Sequence, residues 1–286
     1  MHTNSRDFDI ISIPDYFFCS QTSIGPKSMI SNIAHRGARL CAPENTLEAA
    51  RIAHMSGAIM WELDVQCSAD NQLIIIHDHT LERTTDVHKL SEFKDRHPWN
   101  VCDFAAYELK KLNFGYAFLT ENPKDCSKHY NAPFLNNAVI LSKSLGIEMN
   151  IEIKDINGLP GHEVIAREVY NTVNSKAYLK HVIFSSFNLD YLYQIRNIDE
   201  NARIAVLNDQ PETNVINIID SLNAQAYHPY WKIVDQEMID QLHQKGIKIN
   251  TWTVNNRNDM IRFINMGVDG IITDDPALLH SLNNSK

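Results

Sequence analysis

The sequence predicts an eight-stranded parallel β/α barrel, the TIM (β/α)8 class, on three observations. Short β-rich runs alternate with amphipathic helical patterns along most of the chain. Eight such runs remain once one is set aside as the return arm of a hairpin. At 286 residues the chain suits a single barrel better than an ordinary smaller domain.

Taken in order, "NIAHRG" is the first strand and leads into "ENTLEAARIAHMSG". In that helix Leu47, Ala50, Ile52, Ala53 and Met55 form an apolar face. "AIMWELDVQ" is the second strand. Only "CSADNQ" separates it from "LIIIHD", too short for a helical crossover. A turn around residues 69–71 therefore folds the chain back, in an antiparallel register expected to set His77 opposite Asp64. From Leu81 to Pro133 the rhythm breaks: "SEFKDRHPWN" and "TENPKDCSKHYNAP" are polar and loop-like, as in an insertion. The remaining strands are "IEMNIEIK", "HVIFSSF", "ARIAVL", "QAYHPY", "IKINTWTV" and "GVDGIITDDP". Helical patterns between them include "GHEVIAREVYNTVNSKAY", "QEMIDQLHQKG" and "RNDMIRFINMG", and Gly246 and Gly267 sit where helix C-caps belong. The expected organisation is an N-terminal extension over residues 1–30 and a barrel over 31–286, with an insertion at about 81–133.

Lys plus Arg number 26 against 35 Asp plus Glu, a net charge of −9, which argues against nucleic acid as a partner. Five cysteines with no C-x-x-C pair argue against a disulfide scaffold or zinc ribbon and fit a reducing compartment, the cytoplasm. No apolar run reaches the length of a transmembrane segment. The start "MHTNSRDFDIISIPDYFF" lacks a basic lead and is interrupted by Pro14 and Asp15, so it reads poorly as a signal peptide.

The polar groups at the strand ends carry the chemistry. Residues two apart on a strand share a face, so Glu62 and Asp64 point together, as do Asn150, Glu152 and Lys154. A Glu-x-Asp pair alone is usually a solvated strand face, and Lys154 beside Glu152 is by itself an ordinary salt bridge. Asn45 alone reads as a helix cap and Glu44 as an acid favouring the helix N-terminus. These groups, however, all end strands predicted to share the C-terminal rim of one barrel. Three carboxylates converging there repel one another, and a divalent cation relieves them; all-oxygen ligands favour Mg²⁺ or Ca²⁺ over zinc. His35 and His77 titrate near neutrality, as proton-transfer groups must. Arg36 and Lys154 are cationic donors suited to phosphate. Together the parts describe metal-assisted phosphoester cleavage.

At these residues the sequence resembles the glycerophosphodiester phosphodiesterase family. The resemblance rests on "HRG", "PENT", "ELDV", "HD" followed by "LERTT", "EIK", "SSF", "WTVN" and "GVDGIITDDP", in order from about Ile33 to Pro276. It implies a TIM barrel that cleaves glycerophosphodiesters, a small-molecule substrate, to glycerol 3-phosphate and an alcohol with one divalent cation. It implies His35 and His77 as acid and base, Glu62, Asp64 and Glu152 as metal ligands, and Arg36 and Lys154 as phosphate contacts. Glu44 takes a supporting role, and Trp252 lines the glycerol side or packs in the core. The chain departs from the family after "LERTT", where "DVHKLSEF" replaces a glycine-containing turn, and at "NFGYAFLTENPKDCSKHYNAPFLNNAV". A lipid-directed phosphodiesterase, of lysophospholipase D type, would need an apolar rim, for which Tyr107, Phe114, Tyr116, Phe118 and Leu119 are candidates. A non-catalytic phosphate-ester binding barrel would be expected to have lost one of the proton-transfer groups or metal ligands.

Overall fold

The computed structural model describes residues 29–122 and 127–285. The expected N-terminal extension lies outside the described residues, apart from Met29 and Ile30. Strand β1 (Ser31–Ala34) is followed by α1 (Leu47–Met55), β2 (Met60–Cys67) and the short β3 (Leu73–Ile75). Next come α2 (Ala106–Leu109), α3 (Tyr116–Glu121) and α4 (Leu135–Leu145). The rest alternates regularly: β4 (Glu148–Ile153), α5 (Ile165–Ser175), β5 (Val182–Ser186), α6 (Leu189–Ile198), β6 (Ile204–Asn208), α7 (Val215–Leu222), β7 (Ala226–Pro229), α8 (Gln236–Gln244), β8 (Lys248–Thr251), α9 (Arg257–Met266), β9 (Gly270–Thr273) and α10 (Pro276–Asn284).

Eight strands pair in parallel in the order β1-β9-β8-β7-β6-β5-β4-β2, and a β1–β2 pairing closes the ring. The closed (β/α)8 barrel is thus the predicted one. Strand β3 stands outside the ring, antiparallel to β2 as expected, but with a different register. Val65 faces Ile75 and Gln66 faces Ile74, and Ile76 donates its N–H to the Asp64 carbonyl. Asp64 therefore lies across from Ile76, not His77. The turn takes one residue fewer than expected, and a one-residue slip exchanges faces.

The main apolar core lies between the barrel wall and its helices. Leu63, Val65, Ile151, Ile153, Phe184 and Val206 point outward into it from the strands. A smaller interior layer of Ile33, Met60, Ile183, Ala205, Ala226 and Ile272 fills the barrel floor. The period-two alternation thus sends apolar side chains both ways and leaves the polar ones at the C-terminal mouth. Residues 81–122, with Ile74, Ile76 and Ala132, enclose a second apolar cluster that includes Leu81, Phe93, Trp99, Phe104, Leu109 and Phe114. Phe93 and Trp99 come from a stretch that looks polar and loop-like because a short 3-10 turn buries only one residue in three or four.

Candidate active site

His35, Arg36, Glu62, His77, Glu152, Lys154 and Trp252 line one cavity at the barrel mouth, together with Asn150, Phe187, Leu207 and Ile272. Asp64 lies beside it, and Glu44 lies behind Arg36.

The β1 end sets the first half of the site. Arg36 and Gly37 both adopt positive φ, +55° and +81°, which turns the chain sharply after His35. A side chain on Gly37 would meet Ala49 at 2.6 Å, so helix α1 can approach only because this residue is glycine. The turn aims the Arg36 N–H at Glu62 Oε2, 2.8 Å away. Asn45, also at positive φ, donates to Asp64 Oδ2 at 2.8 Å and accepts from the Asp64 N–H at 3.2 Å. Asn45 is therefore not the cap of α1; Thr46 is, accepting from the Ala49 N–H. Glu44 is not tied to the helix N-terminus either. It holds Arg36 at 2.9 Å, Arg39 at 3.0 Å and Arg83 at 2.7 Å.

Glu62, Asp64 and Glu152 bring one carboxylate oxygen each to within 4.8 Å of one another. The register of the parallel β2–β4 pair sets this, since Asp64 stands opposite Glu152. Burial raises the Glu62 pKa well above its ordinary value, and Asp64 and Glu152 push it further. Asp64 is equally buried, yet Lys154, Arg36 and His77 hold it below the usual carboxylate range. Glu62 Oε1 is buried with no hydrogen-bond partner among the described residues. Three clustered carboxylates with an unsatisfied buried oxygen are a donor set that fits a hard divalent cation. Lys154 reaches Glu152 at 2.6 Å and Asp64 at 3.5 Å; burial works against its charge, but the two acids raise its pKa. Arg36 Nε lies 3.3 Å from Asp64.

Each histidine is oriented by an acid. His35 Nδ1 meets Asp274 at 2.6 Å, and His77 Nδ1 meets Asp78 at 2.7 Å. Each ring therefore turns its Nε2 away from the acid. Burial lowers the His35 pKa despite Asp274 and so favours the neutral imidazole. Neither acid was singled out from the sequence. Asp78 had a signal, being adjacent to His77. Asp274 had none without the barrel closure that sets Thr273 beside Ala34. Trp252 lines the cavity, and its Nε1 donates to the His228 carbonyl at 2.8 Å. Its ring stands edge-on to Phe187, centroids 5.7 Å apart.

The five candidates for an apolar rim do not form one. Phe114 and Leu119 are buried, Tyr116 packs against His88 and Lys89, and Tyr107 is exposed by itself. Phe118 lines a second cavity with Arg39, Pro43, Glu44 and Arg83. No helix among the described residues is long and apolar enough to cross a membrane.

Comparison with known proteins agrees with this architecture. The model of the glycerophosphoryl diester phosphodiesterase family matches residues 35–278. A glycerophosphodiester phosphodiesterase of Caldanaerobacter subterraneus subsp. tengcongensis is 32% identical over 250 residues, spanning 87% of this chain and 96% of that protein. One from Bacillus altitudinis is 30% identical, spanning 87% and 96%. Among solved structures, an Oleispira antarctica phosphodiesterase in complex with the product sn-glycerol-3-phosphate superposes with a TM-score of 0.74 at 24% identity, covering 88% of this chain and 96% of that one. A glycerophosphodiester phosphodiesterase of Parabacteroides distasonis gives 0.74 at 23% identity, covering 91% and 99%. At these identities the structural likeness establishes the shared fold.

Proposed function

The chain belongs to the glycerophosphodiester phosphodiesterase family, and from that premise we propose that it hydrolyses glycerophosphodiesters to glycerol 3-phosphate and an alcohol. The observation that carries the proposal is the single cavity on which two acid-oriented histidines, two cations and a carboxylate cluster converge. Glu62, Asp64 and Glu152 would hold one Mg²⁺ or Ca²⁺. When bound, that ion would withdraw charge from a phosphate oxygen and so favour attack at phosphorus.

The protein's own groups do the rest. Arg36 and Lys154 bind phosphate oxygens, and their charge opposes the negative charge that builds up in the transition state. Arg36 is held for this by Glu44 and Asp64, and Lys154 by Glu152. His35 and His77 exchange protons at Nε2, one removing a proton from the attacking oxygen and the other giving one to the departing alcohol. Asp274 and Asp78 fix their tautomers. Trp252, Leu207 and Ile272 pack on the substrate's carbon skeleton and keep water from it.

The wider assignment follows the same reading. Residues 31–286 form the catalytic barrel, about 81–133 an insertion over its mouth, and 1–30 an extension. Cysteine usage supports a cytoplasmic site of action. Cys41, Cys67 and Cys102, the described cysteines, are free thiols.

A panel of glycerophosphodiesters assayed with Mg²⁺, with Ca²⁺ and with chelator, reading glycerol 3-phosphate release, tests the proposal. Cation-dependent release is expected. Absence of release from every member of the panel would sink it.

A further inference from the structure

Asn150 occupies a position where the barrel interior otherwise favours apolar residues. It stands opposite Glu62 on β2 and opposite Ile183 on β5. Its side chain is 1% exposed and lines the cavity, yet neither its Oδ1 nor its Nδ2 has a hydrogen-bond partner among the described residues. Leaving one buried polar atom unmatched costs free energy, and leaving both ends of an amide unmatched costs twice. A leucine would fill similar space without that cost.

A cation would use Oδ1 alone and leave Nδ2 unmatched. A phosphate oxygen would use Nδ2 alone. A vicinal diol matches both, because one hydroxyl donates to Oδ1 while its neighbour accepts from Nδ2. The surrounding wall agrees: Leu207, Trp252 and Ile272 offer apolar surface to the carbon chain of a polyol. We infer that Asn150 is a specificity-determining residue that recognises the two free hydroxyls of a glycerol phosphate. The inference rests on the proposed phosphodiesterase reading for its substrate class but not for its test.

The test compares binding of glycerol 3-phosphate with that of propyl phosphate, which lacks both hydroxyls, by titration calorimetry at saturating Mg²⁺. The wild type is expected to prefer glycerol 3-phosphate at least tenfold. Asn150→Leu should abolish that preference, leaving propyl phosphate and Mg²⁺ affinities within about twofold. Asn150→Ala serves as a second variant, with thermal melting to confirm folding. A wild type that binds the two phosphates equally, or variants that keep the preference, would overturn the assignment. So would a parallel loss of propyl phosphate and Mg²⁺ affinity, which would make Asn150 a cation ligand. Glycerophosphocholine turnover is measured alongside: a wild type that keeps the binding preference but has no turnover refutes the hydrolase reading and leaves Asn150 in its role.

Discussion

Arg83 donates to both carboxylate oxygens of Glu44, at 3.0 and 2.7 Å, and so ties the chain after β3 to the loop after β1. The same guanidinium donates to Asp78, which orients His77. One acid thus links three arginines and, through them, both halves of the mouth. Burial works to raise the Glu44 pKa, but the hydrogen bond of Arg83 and the charges of Arg36, Arg39 and Arg83 bring it down to about 2. A depressed carboxyl stabilises the fold fully above its unfolded pKa, near 4.5, and that contribution is lost as pH falls from 4.5 to 2. Glu44→Gln should remove that acid dependence, seen as a shallower loss of melting temperature over this window. It should also lower kcat/KM roughly tenfold, within the range lost when a charged hydrogen-bonding partner is removed.

His35→Ala and His77→Ala should each lower kcat on the order of 10²–10⁴-fold with little change in KM. Asp274→Asn and Asp78→Asn should reproduce part of that loss, because each replaces an anionic acceptor by a neutral amide that can donate as well as accept and so no longer fixes the tautomer. Burial lowers the His35 pKa below 6.5, so in the wild type its titration belongs on the acid side of neutrality. A histidine variant within a few-fold of wild type would reduce that residue to a structural one.

These two acids also mark where the sequence stopped being informative. The strand-end groups were legible because a period of two assigns faces locally. Asp274 and Asp275 are adjacent and chemically identical, yet Asp275 caps α10 while Asp274 holds His35. Pro276 at the first helical position marks Asp275 as the cap locally, but only the pairing of the first and last strands brings Asp274 to His35. Asn45 gives up the cap position to Thr46 for a related reason: positive φ at Asn45 accompanies its turn onto Asp64. The hairpin was readable from its short connection, but its register depended on one residue in the turn.

Cation binding should release a proton from Glu62. Burial, Asp64 and Glu152 raise the Glu62 pKa, so this carboxyl must lose its proton to become a ligand. Calorimetry in two buffers of different ionisation enthalpy should give unequal apparent enthalpies, and affinity should rise with pH. Glu62→Gln should abolish the proton release and weaken binding. Full activity after exhaustive chelation would remove the cation from the mechanism.

His228 predicts a second acid sensitivity, which sets in at higher pH. It is fully buried, and burial lowers its pKa to about 3. Its Nε2 pairs with Asn250 at 2.9 Å, and Nδ1 has no partner among the described residues. The unfolded chain takes up a proton near pH 6.5 where the folded one does not, so stability is full above 6.5 and falls as pH drops. The slope approaches about 1.4 kcal/mol per pH unit. Between pH 6.5 and 4.5 this acts before Glu44 begins to protonate. Urea unfolding of His228→Gln, which retains an acceptor for Asn250, should show a flatter profile there than the wild type.

The segment after β3 should influence which alcohol is accepted, but through fewer aromatics than its sequence suggests. Trp99, Tyr107 and Phe118 are among the segment's aromatics that could shape a headgroup pocket, and they sit in different places. Trp99 is 9% exposed inside the segment's own core, its Nε1 bonded to the Phe93 carbonyl at 2.8 Å. Trp99→Ala should therefore destabilise by about 3–5 kcal/mol without changing substrate ratios. Tyr107 is 66% exposed, and Tyr107→Ala should change neither stability nor ratios. Phe118 faces the second cavity with Arg39, Glu44, Arg83 and Glu121. Glu44 lines this second cavity and holds Arg36, which lines the catalytic one, so the two cavities are neighbours across that ion pair. A choline ammonium there would gain from the Phe118 ring and the Glu121 carboxylate, whereas a glycerol would gain from neither. Phe118→Ala should lower kcat/KM for glycerophosphocholine relative to bis-glycerophosphate by roughly threefold to tenfold, the range of one cation–π contact. Equal losses on both substrates would make this cavity a structural gap behind the mouth and move headgroup selection to Phe187 and Trp252 on the opposite wall.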